Sequence, residues 1–113
     1  MAQQALLADR IRAALADEPS VREVPMFGGL SFMVNEKMVV AVHTDGDLLV
    51  RVDPERNGEF LEIAGARPAE MGAGRGMGPG WISVAQKALG TDTELSFWVG
   101  VAREYNTRVR GGS

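Results

Sequence analysis

Between Glu23 and Val52 the chain reads as four short apolar segments cut by three tight turn signals, and that pattern leaves few folds open. The segments Glu23 to Phe27, Leu30 to Val34, Lys37 to His43 and Leu48 to Val52 are rich in valine, methionine and phenylalanine. Gly28-Gly29, Asn35-Glu36 and Asp45-Gly46 separate them. Connections this short join antiparallel neighbours, since a parallel crossover takes about a dozen residues or more. The spacing therefore predicts an antiparallel meander. In Leu30, Phe32 and Val34, and again in Met38, Val40 and Val42, every second residue is large and apolar, which gives the sheet one face suited to burial. Helices must cover that face.

Three helices are expected. From Ala2 to Glu18, Leu7, Ile11, Ala14 and Leu15 recur at helical spacing, and Pro19 with Ser20 ends the run. Asp53-Pro54 opens a second helix carrying Phe60, Leu61 and Ala64, and Gly65 can close it in a left-handed conformation. Thr91 and Glu94 have capping-box spacing ahead of a third helix with Leu95, Trp98, Val99, Ala102 and Tyr105 on one side. Between the last two helices, Arg67 to Met71 and Trp81 to Val84 read as strands, joined by a glycine-rich loop from Gly72 to Gly80. The fold class is α+β, a two-layer antiparallel sheet covered by helices in the order α-β-β-β-β-α-β-β-α. At 113 residues one core is the economical reading. Residues 1–106 are expected to form a single domain, and 107–113 a flexible tail fraying from Thr107.

Composition removes several kinds of chemistry. The chain has no cysteine, so disulfides, thiolate metal sites and cysteine nucleophiles are excluded, and a reducing, cytoplasmic setting fits. No apolar run is long enough to cross a membrane. Twelve Lys and Arg against fifteen Asp and Glu give a net charge of -3, which opposes non-specific nucleic-acid binding. His43 is the one histidine. With Asp45 and Asp47 it could offer a metal one nitrogen and two carboxylates, but Asp-Gly is ordinary hairpin chemistry, and the turn reading is preferred. Ser31, Ser83 and Ser96 lack the glycine-flanked elbow of a serine nucleophile. No catalytic residue, cofactor or metal site is expected.

Two features could bind something. In the glycine-rich loop, free backbone donors and Arg75 could meet an anion; Met77 and Trp81 lie close by in sequence, so Arg75, Met77 and Trp81 form the candidate binding surface. The loop feeds a strand rather than a helix N-terminus, unlike a phosphate-binding loop. Arg103, Arg108 and Arg110 cluster near the end of the last helix, where positive charge suits the helix dipole.

Met26-Phe27-Gly28-Gly29, Phe32 with Val34, Lys37-Met38, Leu49, Val52 and Asp53 follow one another in an order that resembles the TfoX N-terminal domain family. The likeness continues through Phe60, Ala64-Gly65-Ala66, Arg75, Met77, Gly80-Trp81, Leu95 and Trp98, spanning about Val21 to Arg103. The resemblance implies a compact α+β domain grouped with secretion-chaperone-like folds, a group that often dimerises. It also implies a regulatory setting. The founding members act in natural competence with a cyclic-AMP-responsive transcription factor and carry a second, C-terminal domain, which a stand-alone form such as this is expected to lack. It carries over no catalytic residue. A non-enzymatic protein-interaction or regulatory domain is the expected function, with a small anionic ligand or enzymatic role through Arg75 and a DNA-associated role as alternatives. A protein partner is expected, and also a homodimer, because the apolar residues from Met26 to Val52 look too many for three helices to cover. The competing account is a monomer whose helices suffice and whose edge strands are guarded by Pro25, Lys37 and Arg51.

Overall fold

The computed structural model describes residues 2–18, 20–26, 29–34, 37–43, 47–69, 78 and 80–111. The expected order is present: α1 (Ala2–Ala14), β1 (Val21–Met26), β2 (Gly29–Val34), β3 (Lys37–Val42), β4 (Leu48–Arg51), α2 (Asn57–Leu61), β5 (Ala66–Pro68), β6 (Trp81–Val84) and α3 (Asp92–Gly111). Short 3-10 turns at Pro54–Arg56 and Gln86–Leu89 precede α2 and α3. The strands form one antiparallel sheet in the order β1-β2-β3-β4-β6-β5. The first four are a meander, as three tight connections require; α2 and β5 then intervene before β6 returns to pair with β4.

One face of the sheet carries Phe32, Val34, Val40, Val42, Leu48, Val50, Ile82 and Val84, all buried. Leu7 and Ile11 of α1, Leu15 just after it, and Leu95, Trp98, Val99 and Ala102 of α3 cover them. This is the amphipathic pattern read from the sequence, realised within a single chain. On this face the strand residues named above are buried within the chain.

Alternation fails at one place. Leu30 to Phe32 pair with Val42 to Val40, but Met33 pairs with Met38, so the register shifts and Val39 is an extra residue. A bulge of this kind puts two successive side chains on one side. Val39 and Val40 both enter the core, and Met38 turns to the other face, where it packs with Trp81 against Ala41, Leu49 and Ala69. The expectation that Met38 shares a face with Val40 and Val42 is thereby corrected.

The second helix is shorter than expected. Asp53 does cap, its carboxylate accepting the Glu55 N–H at 2.9 Å, but what it opens is the 3-10 turn Pro54–Arg56, and α2 begins only at Asn57 with no side-chain cap. The α-helix ends at Leu61, because the following amides of Glu62 and Ile63 bond three residues back, to Glu59 and Phe60, a tightening common at helix ends. Ala64 is left exposed and Ile63 packs on the core in its place. Gly65 does take the left-handed backbone, with φ of 90°. At the other end, α3 has the expected capping box: Thr91 Oγ1 accepts the Glu94 N–H, and Glu94 Oε1 accepts the Thr91 N–H. It continues to Gly111, past the fraying point expected at Thr107. An ion pair between Arg108 and Asp53 at 2.9 Å holds this last stretch to the start of the 3-10 turn.

Candidate functional site

Because the sheet is antiparallel, the start of β3, the end of β4 and the start of β6 lie at the same end. Lys37, Met38, Arg51 and Trp81 meet there, and Ala102, Tyr105 and Asn106 of α3 close the other side of a cavity of about 270 Å³. Arg51 and Trp81 are direct cross-strand partners, and such neighbours share a face. The Arg51 guanidinium carbon lies 4.7 Å from the Trp81 ring centroid and 5.2 Å from that of Tyr105, well inside cation-π range. Asn106 forms the floor, its amide donating to the Val34 carbonyl at 3.1 Å.

Gly80 makes room for this arrangement. Its φ is 97°, its N–H donates to Asn57 Oδ1 at 3.0 Å, and its carbonyl accepts the Val52 N–H at 2.8 Å. A Cβ here would stand 2.7 Å from Arg51 Nη1 and 3.2 Å from the Val52 carbonyl oxygen. A side chain at residue 80 would therefore take the place the guanidinium occupies.

The charge at this site is unusual for the molecule. Arg10, Arg12, Arg56, Arg67, Arg103 and Arg108 each hold a carboxylate. Among the described residues, neither Lys37 nor Arg51 has a carboxylate within ion-pair distance. Among the described residues, the cavity thus presents two cations without a carboxylate partner beside two aromatic rings.

The other expected sites fare differently. Of the candidate surface, Trp81 is half-buried on the cavity wall, while Arg75 and Met77 lie outside the described residues. His43 is half-buried and its backbone N–H bonds to the Asp47 carbonyl at 2.9 Å, while Asp45 is outside the described residues. Asp47 is a structural tie: one carboxylate oxygen accepts the Gln86 N–H at 2.9 Å and the other pairs with Arg67 at 2.8 Å. Among the described residues no group of His, Asp and Glu is placed to hold a metal. Two of the three C-terminal arginines, Arg103 and Arg108, are paired with carboxylates. Arg103 bonds to Asp17 and Glu18 and to the Ala14 carbonyl, clamping α3 to the end of α1. Burial alone would lower its affinity for the proton; the two carboxylates outweigh that and raise it, while Asp17 is held below its usual value by the Arg103 hydrogen bond. Arg108 is on Asp53, and the side chain of Arg110 is outside the described residues.

The monomer account expects Lys37 and Arg51 to guard strand edges, yet both sit on interior strands. Pro25 alone of the three is on an edge strand, β1, where a missing N–H donor can face away from the ladder.

The sequence order that suggested a family relationship has a match of its own: the TfoX N-terminal domain aligns with residues 13–104. The chain belongs to the TfoX N-terminal domain family. Within this member of the TfoX N-terminal domain family, the aligned region holds every residue of the cavity except Tyr105 and Asn106. The crystal structure of the Deinococcus radiodurans protein DR2400, with its DUF419 domain, is similar in fold, with a TM-score of 0.67 over 89% of this chain and 78% of that one at 20% identity. No curated protein matches the chain.

Proposed function

We propose that this chain is a non-enzymatic interaction domain, regulatory in setting, that docks a protein partner at the cleft between Lys37, Arg51, Trp81 and Tyr105. The observation that carries the reading is Arg51, stacked near two rings with no carboxylate among the described residues. Tryptophan, tyrosine and arginine are the residue types that dominate binding energy at protein interfaces, above all where neighbouring side chains keep water off them. Family membership supports a regulatory type of domain and leaves the role open. A cytoplasmic location goes with this reading; no helix among the described residues is long and apolar enough to cross a membrane.

Self-association belongs to the same proposal and would use the second face of the sheet. Both edge strands contain proline, Pro25 in β1 and Pro68 in β5, which discourages edge pairing. Light scattering coupled to gel filtration is the test of the dimer, and a mass of one chain at tens of micromolar removes it. The docking cleft is tested by a photo-reactive residue in place of Met38, with the same group in place of the exposed Glu104 as control. A partner trapped from cytosol at Met38 and not at Glu104 is the expected result. Equal recovery at both positions, or none, refutes the cleft as the docking point.

A further inference from the structure

We infer that the element received by this cleft is an acidic peptide segment of the partner, with a carboxylate bound by Arg51 and a second charge contact from Lys37; the inference rests on the cleft being the docking point. A guanidinium is planar, with its donors in the plane and its π-faces free for stacking. In this site the Arg51 guanidinium carbon lies over the rings of Trp81 and Tyr105 within cation-π distance, and among the described residues no carboxylate takes its N–H donors, which are left to a ligand. An arginine positioned this way has already lost much of its rotamer freedom, which lowers the entropic cost of a two-pronged bond to a carboxylate.

The surroundings select among anions. Two cations at one point satisfy one or two carboxylates, whereas a nucleic acid needs a track of positive charge, and Arg103 and Arg108 are committed to Asp17, Glu18 and Asp53. Met38 shares the lining and offers apolar contact to a residue beside the acid, which a peptide supplies and a free anion does not.

The test uses the full chain and proton-nitrogen NMR, in which the Trp81 indole N–H and the Arg51 Nε–H report the cleft and the Trp98 indole reports the core. The probe is an acetylated, amidated hexapeptide with two adjacent glutamates flanked by leucines, against the same peptide with glutamines. Saturable shifts of the Trp81 and Arg51 signals are expected, with affinity at least about tenfold weaker for the glutamine peptide. Arg51→Met should abolish them with the Trp98 signal in place, and Arg51→Lys, which keeps charge but not the planar fork, should fall between. Four results overturn the inference: equal affinity for the glutamine peptide, undiminished binding by both Arg51 variants, equally tight saturation by succinate or inorganic phosphate, or no shift up to about 5 mM peptide. Any of these alongside specific crosslinking at Met38 leaves the docking cleft standing and removes only its acidic occupant. Loss of the Met38 crosslink removes the reading beneath it.

Discussion

Replacing Gly80 with alanine should damage stability and the cleft together, by separable amounts. The backbone at residue 80 has φ of 97°, a region that costs an L-residue about 1–2 kcal/mol. The new Cβ would also stand 3.2 Å from the Val52 carbonyl oxygen and 3.1 Å from Pro54 Cγ. Val52 is fully buried and donates its own N–H back to Gly80, so it can yield only with the strand end. Crowding of that kind adds roughly 1–2 kcal/mol, for a total of about 2–4 kcal/mol. In a domain of this size each kcal/mol moves the melting midpoint by about 4 °C, so Gly80→Ala should melt roughly 8–16 °C lower. The third contact, Arg51 Nη1 at 2.7 Å, is the far end of a long side chain that can yield by giving up its ring contacts, at a cost of roughly 0.5–1 kcal/mol. A double-mutant cycle with Arg51→Ala should therefore show coupling below about 1 kcal/mol, while the Arg51 signal in Gly80→Ala moves off the Trp81 ring. Urea denaturation followed by tryptophan fluorescence gives the energies. A Gly80→Ala cost under about 0.5 kcal/mol would refute the strained backbone, and coupling near the full cost would mean that Arg51, not the backbone, sets the requirement for glycine.

Asp47→Ala should cost about 1–3 kcal/mol in urea denaturation, because it strands the Gln86 amide and releases Arg67, and Asp47→Asn should cost less by keeping one acceptor. Asn106→Leu removes the donor to the Val34 carbonyl inside the core and should cost roughly 1–3 kcal/mol, with little change in the CD spectrum. Glu23 is held below its usual value by the Arg12 hydrogen bond. Its contribution is therefore complete above the unfolded carboxylate value and lost as pH falls through the lowered folded one. The stability gap between the native chain and Arg12→Met should be constant near neutrality and close below about pH 4. A gap that persists into strong acid would show that Arg12 acts through packing instead. A mobility-shift assay at low salt should show no DNA complex at micromolar protein, since Arg103 and Arg108 are already paired with carboxylates.

Local signals were legible wherever they are set by a few adjacent residues. The antiparallel pairing of successive strands, the Asp53 and Thr91 caps, the left-handed Gly65 and the apolar stripe of α3 all follow from neighbours within a turn or a hairpin, and the structure has each of them. The length of α2 was not, because its end is decided by bonds three residues back that compete with helical ones at equal sequence cost. The site itself depends on pairing across thirty residues. Arg51 and Trp81 become neighbours only once β6 returns beside β4, and no local pattern marks either as a partner of the other. One sign was present: Asn106 falls four residues after Ala102 on the buried stripe of α3, where a polar side chain needs a specific partner.

The bulge at Val39 joins these two levels. In an unbroken strand Met38 would follow Val40 and Val42 into the core, and the wall of the cleft beside Trp81 would lose its apolar member. One extra residue puts Val39 inside instead and turns Met38 outward, so the core keeps its volume while the second face gains a side chain. Period-two reading cannot foresee this, because Met-Val-Val-Ala-Val is apolar in either register and both assignments bury a plausible set. What decides is the partner strand: Phe32 opposite Val40 and Met33 opposite Met38 can both hold only if β3 is one residue longer between them. The fold therefore builds the rim of the cleft with the same irregularity that fills its core.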